Sequence, residues 1–170
     1  MGTLDPHSPE AEAIIESRRR TGADRFDEVW EGVYHMNSAP RNYHQLTVIE
    51  LSRALYAPAK RAGLVVLDGV NIGVPDDFRI PDLVLLADVA DVVWNPTAPI
   101  VVEVLSPGDD TPKKLPFYVT RGVSEALVVD PDARTVQWLR NDGTRFVPAA
   151  ASTLLGVTDL VPQIDWPGAV

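Results

Sequence analysis

The stretch Pro81–Pro131, PDLVLLADVADVVWNPTAPIVVEVLSPGDDTPKKLPFYVTRGVSEALVVDP, decides the fold. It holds three apolar, β-branched runs, and each carries an acidic residue. Asp82 opens the first, Glu103 sits inside the second and Asp130 closes the third. A short basic segment with Lys113 and Lys114 separates the second run from the third. Apolar runs of about 4–8 residues bounded by turn residues read as buried strands. A carboxylate set inside such a run is costly unless it is paired or bound to a cation. Glu103 is therefore the most informative residue of the chain.

Composition bounds the rest. A length of 170 residues suits a single domain. Residues 1–23 read as an N-terminal arm or helix, and 24–170 as one compact domain. There are no cysteines, which excludes disulfides and thiolate metal sites. No run of about 18 apolar residues is present, so no membrane span is expected. The start, MGTLDPHSPEAEAIIESRRR, lacks the pattern of a signal peptide, and a cytoplasmic location is the expectation. The net charge of -9 argues against broad electrostatic attraction to nucleic acid. A locally basic groove would have to offset it.

Working outward along the chain, Ala11–Arg20 reads as a helix ending in three arginines. FDEVWEGVYHM, residues 26–36, reads as a hairpin turning at Glu31-Gly32. Asn42 to about Ala62 is the clearest helix, with Leu46, Ile49, Leu51, Ala54 and Leu55 on its apolar face, Asn42 as N-cap and Gly63 as stop. Leu64–Val74 reads as strand material with a hairpin or bulge signal at Asp68-Gly69. VPDDFRIPD reads as a turn into the strand Leu83–Leu86, and Asp88–Val93 as a loop with a helical turn. Ile100–Leu105 is the central strand. Asp110–Arg121 reads as a helix, kinked at Pro116. Ala126–Val129 and Thr135–Leu139 pair as a hairpin, Phe146–Val147 and Leu154–Leu155 are weaker strand pieces, and the tail packs through Trp166. The order predicts an α/β fold, a mixed and twisted sheet flanked by helices.

Adjacent strands lie about 4.8 Å apart. Asp82 and Glu103 can therefore converge if they face the same side. Two hard oxygen ligands suit Mg²⁺ or Mn²⁺, which keep several waters and take substrate phosphate as a further ligand. The competing reading has Asp82 capping a turn and Glu103 paired with an arginine: Arg79, Arg121 or Arg134. A lysine on the following helix, Lys114 or its neighbour Lys113, could stabilise charge at a metal-bound phosphodiester. His44, at a helix start, could assist proton transfer or be a structural histidine. His7 and His35 make no zinc pattern with it.

Pro81-Asp82, Glu103-Val104-Leu105-Ser106-Pro107, Asp110 with Lys114, Tyr118, Gly122-Val123, Glu125 and Val129-Asp130-Pro131, in this order, resemble the Uma2 family of restriction endonucleases. That family lies in the nuclease superfamily named for its PD-(D/E)xK motif. The EGVYHM turn and His44 at a helix start are similar to it as well. The resemblance implies a restriction-endonuclease-like fold and metal-dependent cleavage of phosphodiesters, with DNA as the substrate. Asp82 and Glu103 would bind Mg²⁺ or Mn²⁺. The superfamily lysine should stand two residues after the glutamate, where this chain has Leu105; the Uma2 branch places it on the next helix, and Lys114 fits. Glu28 matches a glutamate of the N-terminal hairpin and either completes the site or is an exposed strand carboxylate. Asp110 is read as the helix cap. A homodimer is expected, because two sites cut two strands more readily. The rival expectations are a nuclease-fold binding module with a decayed site, and a self-associating scaffold.

Overall fold

The computed structural model describes residues 2–5, 8–108 and 110–168. In chain order these form β1 (Gly2–Leu4), α1 (Pro9–Thr21), β2 (Glu28–Trp30), β3 (Val33–Met36), α2 (Asn42–Arg61), β4 (Val65–Leu67), β5 (Asn71–Val74), β6 (Asp77–Arg79) and β7 (Leu83–Leu86). There follow β8 (Trp94–Asn95), β9 (Ile100–Val104), α3 (Thr111–Thr120), β10 (Glu125–Asp130), β11 (Thr135–Asn141), β12 (Phe146–Ala149) and a 3-10 turn, Val161–Gln163. The α/β class holds. The strands sort into two mixed six-stranded sheets, however, where the sequence reads as one: β12-β11-β10-β9-β7-β4 and β1-β3-β2-β6-β5-β8.

Four local readings are corrected by the structure. Asp68-Gly69 makes no hairpin: β4 pairs with β7 in one sheet while β5 pairs with β6 and β8 in the other, so the turn hands the chain across. VPDDFRIPD is more than a turn, because Asp77–Arg79 forms a strand between β5 and β2. Asp88–Val93 carries bends and no helical turn. Leu154–Leu155 is likewise not a strand; beside it stands one isolated bridge, Ser152 to Val157.

α1 begins and ends as its sequence dictates. Ser8 Oγ accepts from Ala11 N at 3.1 Å, Pro9 occupies the first turn, and Gly22 closes the helix in the left-handed region. Arg18 then donates to the buried Asp27, which also accepts from Tyr34 Oη and Asn37 N. α2 differs from its reading. Its N-cap residue is Arg41 without a side-chain cap, and Asn42 is the first helical residue. The buried face is Val48, Leu51, Ala54, Leu55 and Ala59, while Leu46 and Ile49 are exposed. Apolar residues recur at helical spacing on both faces of α2, and only packing decides which face is inside.

The central sheet is covered on both sides. Leu83, Leu85, Ile100, Val102, Val104 and Leu127 face one core with Leu51 and Leu55 of α2, and Trp166 of the tail packs against it. Val84, Leu86, Val101 and Ala126 face a second core with Phe117 and Tyr118 of α3. Ile72 of the other sheet joins that second core, so α3 lies against both sheets. The close approach is made possible at Gly73, with φ +129: a Cβ there would meet Asp77 O at 2.3 Å and Phe117 Cζ at 3.0 Å. Arg79, almost fully buried, fills the space beside it. Its guanidinium lies 4.4 Å from the Trp30 ring and 4.1 Å from the Phe117 ring.

A second buried carboxylate ties the C-terminal segment to the sheet. Glu125 of β10 accepts from Ser152 Oγ, Thr153 N, Thr153 Oγ1 and Leu154 N. Removing it leaves the buried Ser152 hydroxyl and the neighbouring loop donors without their acceptor. Glu125→Ala is expected to lower the unfolding free energy by about 3 kcal/mol, read by urea denaturation.

Candidate active site

Strand alternation explains how the site is assembled. On β9, Ile100, Val102 and Val104 point to the α2 side, so Glu103 points with Val101 to the α3 side. On β7, Val84 and Leu86 face α3, and the same alternation carries Asp82 to that side. The β7–β9 register pairs Leu83 with Val102. One step further sets Asp82 opposite Glu103. Val104 N donates to Asp82 Oδ2 at 2.7 Å, which anchors Asp82 against the end of β9.

α3 supplies the cation from above. Lys114 Nζ lies 2.9 Å from Glu28 Oε1 and 3.7 Å from Glu103 Oε1. It also lies 3.5 Å from the Ile80 carbonyl. Pro116 does not break the helix, which continues to Thr120. Four residues on from Lys114, Tyr118 presents its hydroxyl to the same carboxylate, donating to Glu103 Oε1 at 2.5 Å. Glu28 is not the exposed strand carboxylate of the alternative reading. It is 1% exposed, and it accepts from Ile80 N at 2.7 Å and Trp30 Nε1 at 2.8 Å. From α2, His44 Nε2 stands 2.7 Å from Asp82 Oδ1, while its Nδ1 lies 3.0 Å from Ser106 Oγ.

The structure thus brings together Glu28, His44, Asp82, Glu103 and Lys114. It separates Lys113, which pairs with Asp110 at 2.5 Å and has a side chain 71% exposed. Asp110 is the N-cap residue of α3, as read, but without a side-chain cap bond. Its side chain holds Lys113, and only its carbonyl enters the helix. Glu103 is not locked to an arginine. Arg79 and Arg121 both pair with Asp77, and Arg134 sits in a turn with φ 52. His35 stacks on Trp30 at 4.4 Å. His7 lies outside the described residues. Tyr118 was visible in the sequence only as a motif position; its spacing of four from Lys114 is the signal that joins it to the site.

Glu28, His44, Asp82 and Lys114 line a cleft of about 370 Å³, with Arg25 and Arg41 also on its wall. Glu103 lies just beneath the floor, 4% exposed. Burial pushes its carboxyl up to about 8, and the nearby Asp82 and Glu28 carboxylates add to the shift against the opposing pull of Lys114. Burial works against the Lys114 ammonium, but Glu103 and Glu28 outweigh it and hold the lysine above its ordinary value. Burial, then the Glu103 charge, raises Tyr118 well above the usual phenol range, so it remains a donor.

A family model described as "Putative restriction endonuclease", Uma2, matches residues 16–165. The chain belongs to the Uma2 family. Its fold is similar to a solved structure described as a "putative nuclease belonging to DUF820 from Anabaena variabilis ATCC 29413". The two are 14% identical, with 81% of this chain and 88% of that chain covered and a TM-score of 0.68. No curated protein matches. Among the described residues no helix is long and apolar enough to cross a membrane.

The Glu103 shift has a thermodynamic sign. A carboxyl whose folded pKa exceeds its unfolded value favours the fold when protonated. That contribution is complete below the unfolded value near 4.5 and is lost as pH rises through about 8. Glu103→Gln resembles the protonated form. Without metal, the stability of the parent relative to this variant is expected to fall between pH 5 and 8 by about 1–3 kcal/mol, measured by urea unfolding at each pH. A difference that is flat across this range would overturn the assignment.

Proposed function

We propose that this Uma2 protein is a metal-dependent endonuclease that hydrolyses phosphodiester bonds of DNA, acting as a homodimer. Membership of the family supports a nuclease. The observation that carries the finer reading is the gathering of Asp82 and Lys114 on the wall of one cleft, with Glu103 buried beside them, from two adjacent strands and the following helix.

The donor set fits Mg²⁺ or Mn²⁺. Among the described residues no group of three or more His, Asp or Glu could by itself enclose a metal ion. Mg²⁺ does not need one, because it binds through one or two carboxylates and completes its shell with water and phosphate. Asp82, with 22% of its side chain exposed, opens to the cleft, and Glu103 stands opposite on the neighbouring strand. A cation between them would also compensate the buried Glu103 charge. Bound there, it would supply Lewis-acid polarisation of the scissile phosphate.

The remaining steps belong to the protein. Lys114, fixed by Glu28 and Ile80, places a desolvated ammonium at the cleft, where it stabilises negative charge building on the phosphate. His44 and Val104 N orient Asp82 by holding one oxygen each. Arg25 and Arg41 offer positive charge on a cleft wall of an otherwise acidic chain, where flanking phosphates would pass.

Asp82→Ala and Glu103→Ala are expected to abolish Mn²⁺-dependent nicking of supercoiled plasmid while the folded spectrum is kept. Lys114→Met is expected to keep metal binding and lose about 10²–10³-fold in rate. Calorimetric titration with Mn²⁺ separates this reading from a decayed binding module, which would take up no metal. A Glu103→Ala protein that cuts like its parent removes the catalytic assignment.

A further inference from the structure

The contacts of Glu103 contain a conflict that the proposed chemistry leaves unsolved. Once ionised, as metal binding requires, a buried carboxylate beside a buried ammonium is drawn to close on it, since a direct ion pair repays desolvation better than a separated one. In this structure it does not. Lys114 Nζ sits 3.7 Å from Glu103 Oε1, beyond hydrogen-bond reach, while it makes a 2.9 Å contact with Glu28. The oxygen nearest the lysine is instead taken by Tyr118 Oη at 2.5 Å. Tyr118 is 0% exposed and Glu103 4%, so the phenol rather than bulk water serves that oxygen.

We infer that Tyr118 is a positioning residue for metal binding: its hydroxyl occupies Glu103 Oε1, keeps the carboxylate from collapsing onto Lys114, and leaves Oε2 for the cation shared with Asp82. The arrangement follows from one helical repeat. Lys114 and Tyr118 stand four apart on α3, so both overlie β9 in one orientation of the helix. The tyrosine hydroxyl meets the carboxylate and touches no reacting atom. It is held in place by an edge-to-face contact with Phe117 at 5.8 Å and by the core shared with Val101 and Ala126.

The position also accounts for the lysine's place on the helix. Two residues after Glu103 the strand would point the same way again, at Leu105. β9 has ended by then, although Leu105 N still bonds Val129 O at 2.8 Å. An ammonium carried at 105 would approach along the strand. Carried on α3, it arrives beside a second donor that rises from the same helix and divides the carboxylate between two partners.

This inference rests on the proposed metal site, and its test tells the two apart. Mn²⁺ affinity is measured by calorimetry on the parent, on Tyr118→Phe and on Leu139→Ala, which opens a cavity in the same core without touching Glu103. Tyr118→Phe keeps the ring and is expected to weaken Mn²⁺ binding about tenfold. In plasmid nicking its half-saturating Mn²⁺ rises by a similar factor while the rate at saturating metal stays within about threefold, since Lys114 is untouched. Leu139→Ala is expected to unfold at lower temperature with unchanged Mn²⁺ affinity. Equal affinity of parent and Tyr118→Phe overturns the positioning role and leaves the metal site standing. A parent that binds no Mn²⁺ overturns both. A loss of affinity in Leu139→Ala as large as in Tyr118→Phe assigns the effect to packing and also overturns the role.

Discussion

A negative charge placed in the dry centre of a β-sheet is the constraint to which the surrounding structure answers. Glu103 lies on a strand whose five residues are all buried, opposite a second carboxylate on the next strand. Burial leaves it little water, and the neighbouring acids make its ionisation harder still. The compensation comes from a helix: Lys114 brings the counter-charge and Tyr118 the hydrogen bond. Glu28, from the other sheet, holds the lysine at the distance that keeps both functions separate.

This constraint gives the two sheets different tasks. The β12–β4 sheet carries Asp82 and Glu103 and is packed on both faces. The β1–β8 sheet carries Glu28, whose carboxylate is fixed by Trp30 Nε1 and Ile80 N. α3 lies between them, and α2 closes the cleft from the far side with His44. None of the sheets or helices alone holds more than two of the charged groups. These groups come together only where all four elements meet.

How much of this was legible in the sequence differs residue by residue. Glu103 stood out because an acid within IVVEV has few physical explanations. The pairing of Asp82 with Glu103 was legible only as a possibility, since strand register is set by contacts and not by spacing. Lys114 was preferred to Lys113 through the family resemblance alone, since the residues do not fix the phase of α3, and Pro116 obscured even the helix. The division into two sheets was hidden because Asp68-Gly69 has the same turn chemistry whether the next strand returns beside the last one or leaves for another sheet. Leu46 and Ile49 misled for a simpler reason: α2 is apolar on its outer face as well. Glu28 was undecidable because its burial depends on α3, which arrives some eighty residues later.

The bare backbone at Gly73 has a bearing on accuracy. Phe117 rests there on peptide atoms with no side chain intervening. Side chains hop between rotamers; peptide planes hardly move. The height at which α3 rides over the second sheet is therefore gauged against the stiffest material a protein has, and one turn earlier on the same helix that calibration is handed to the ammonium nitrogen.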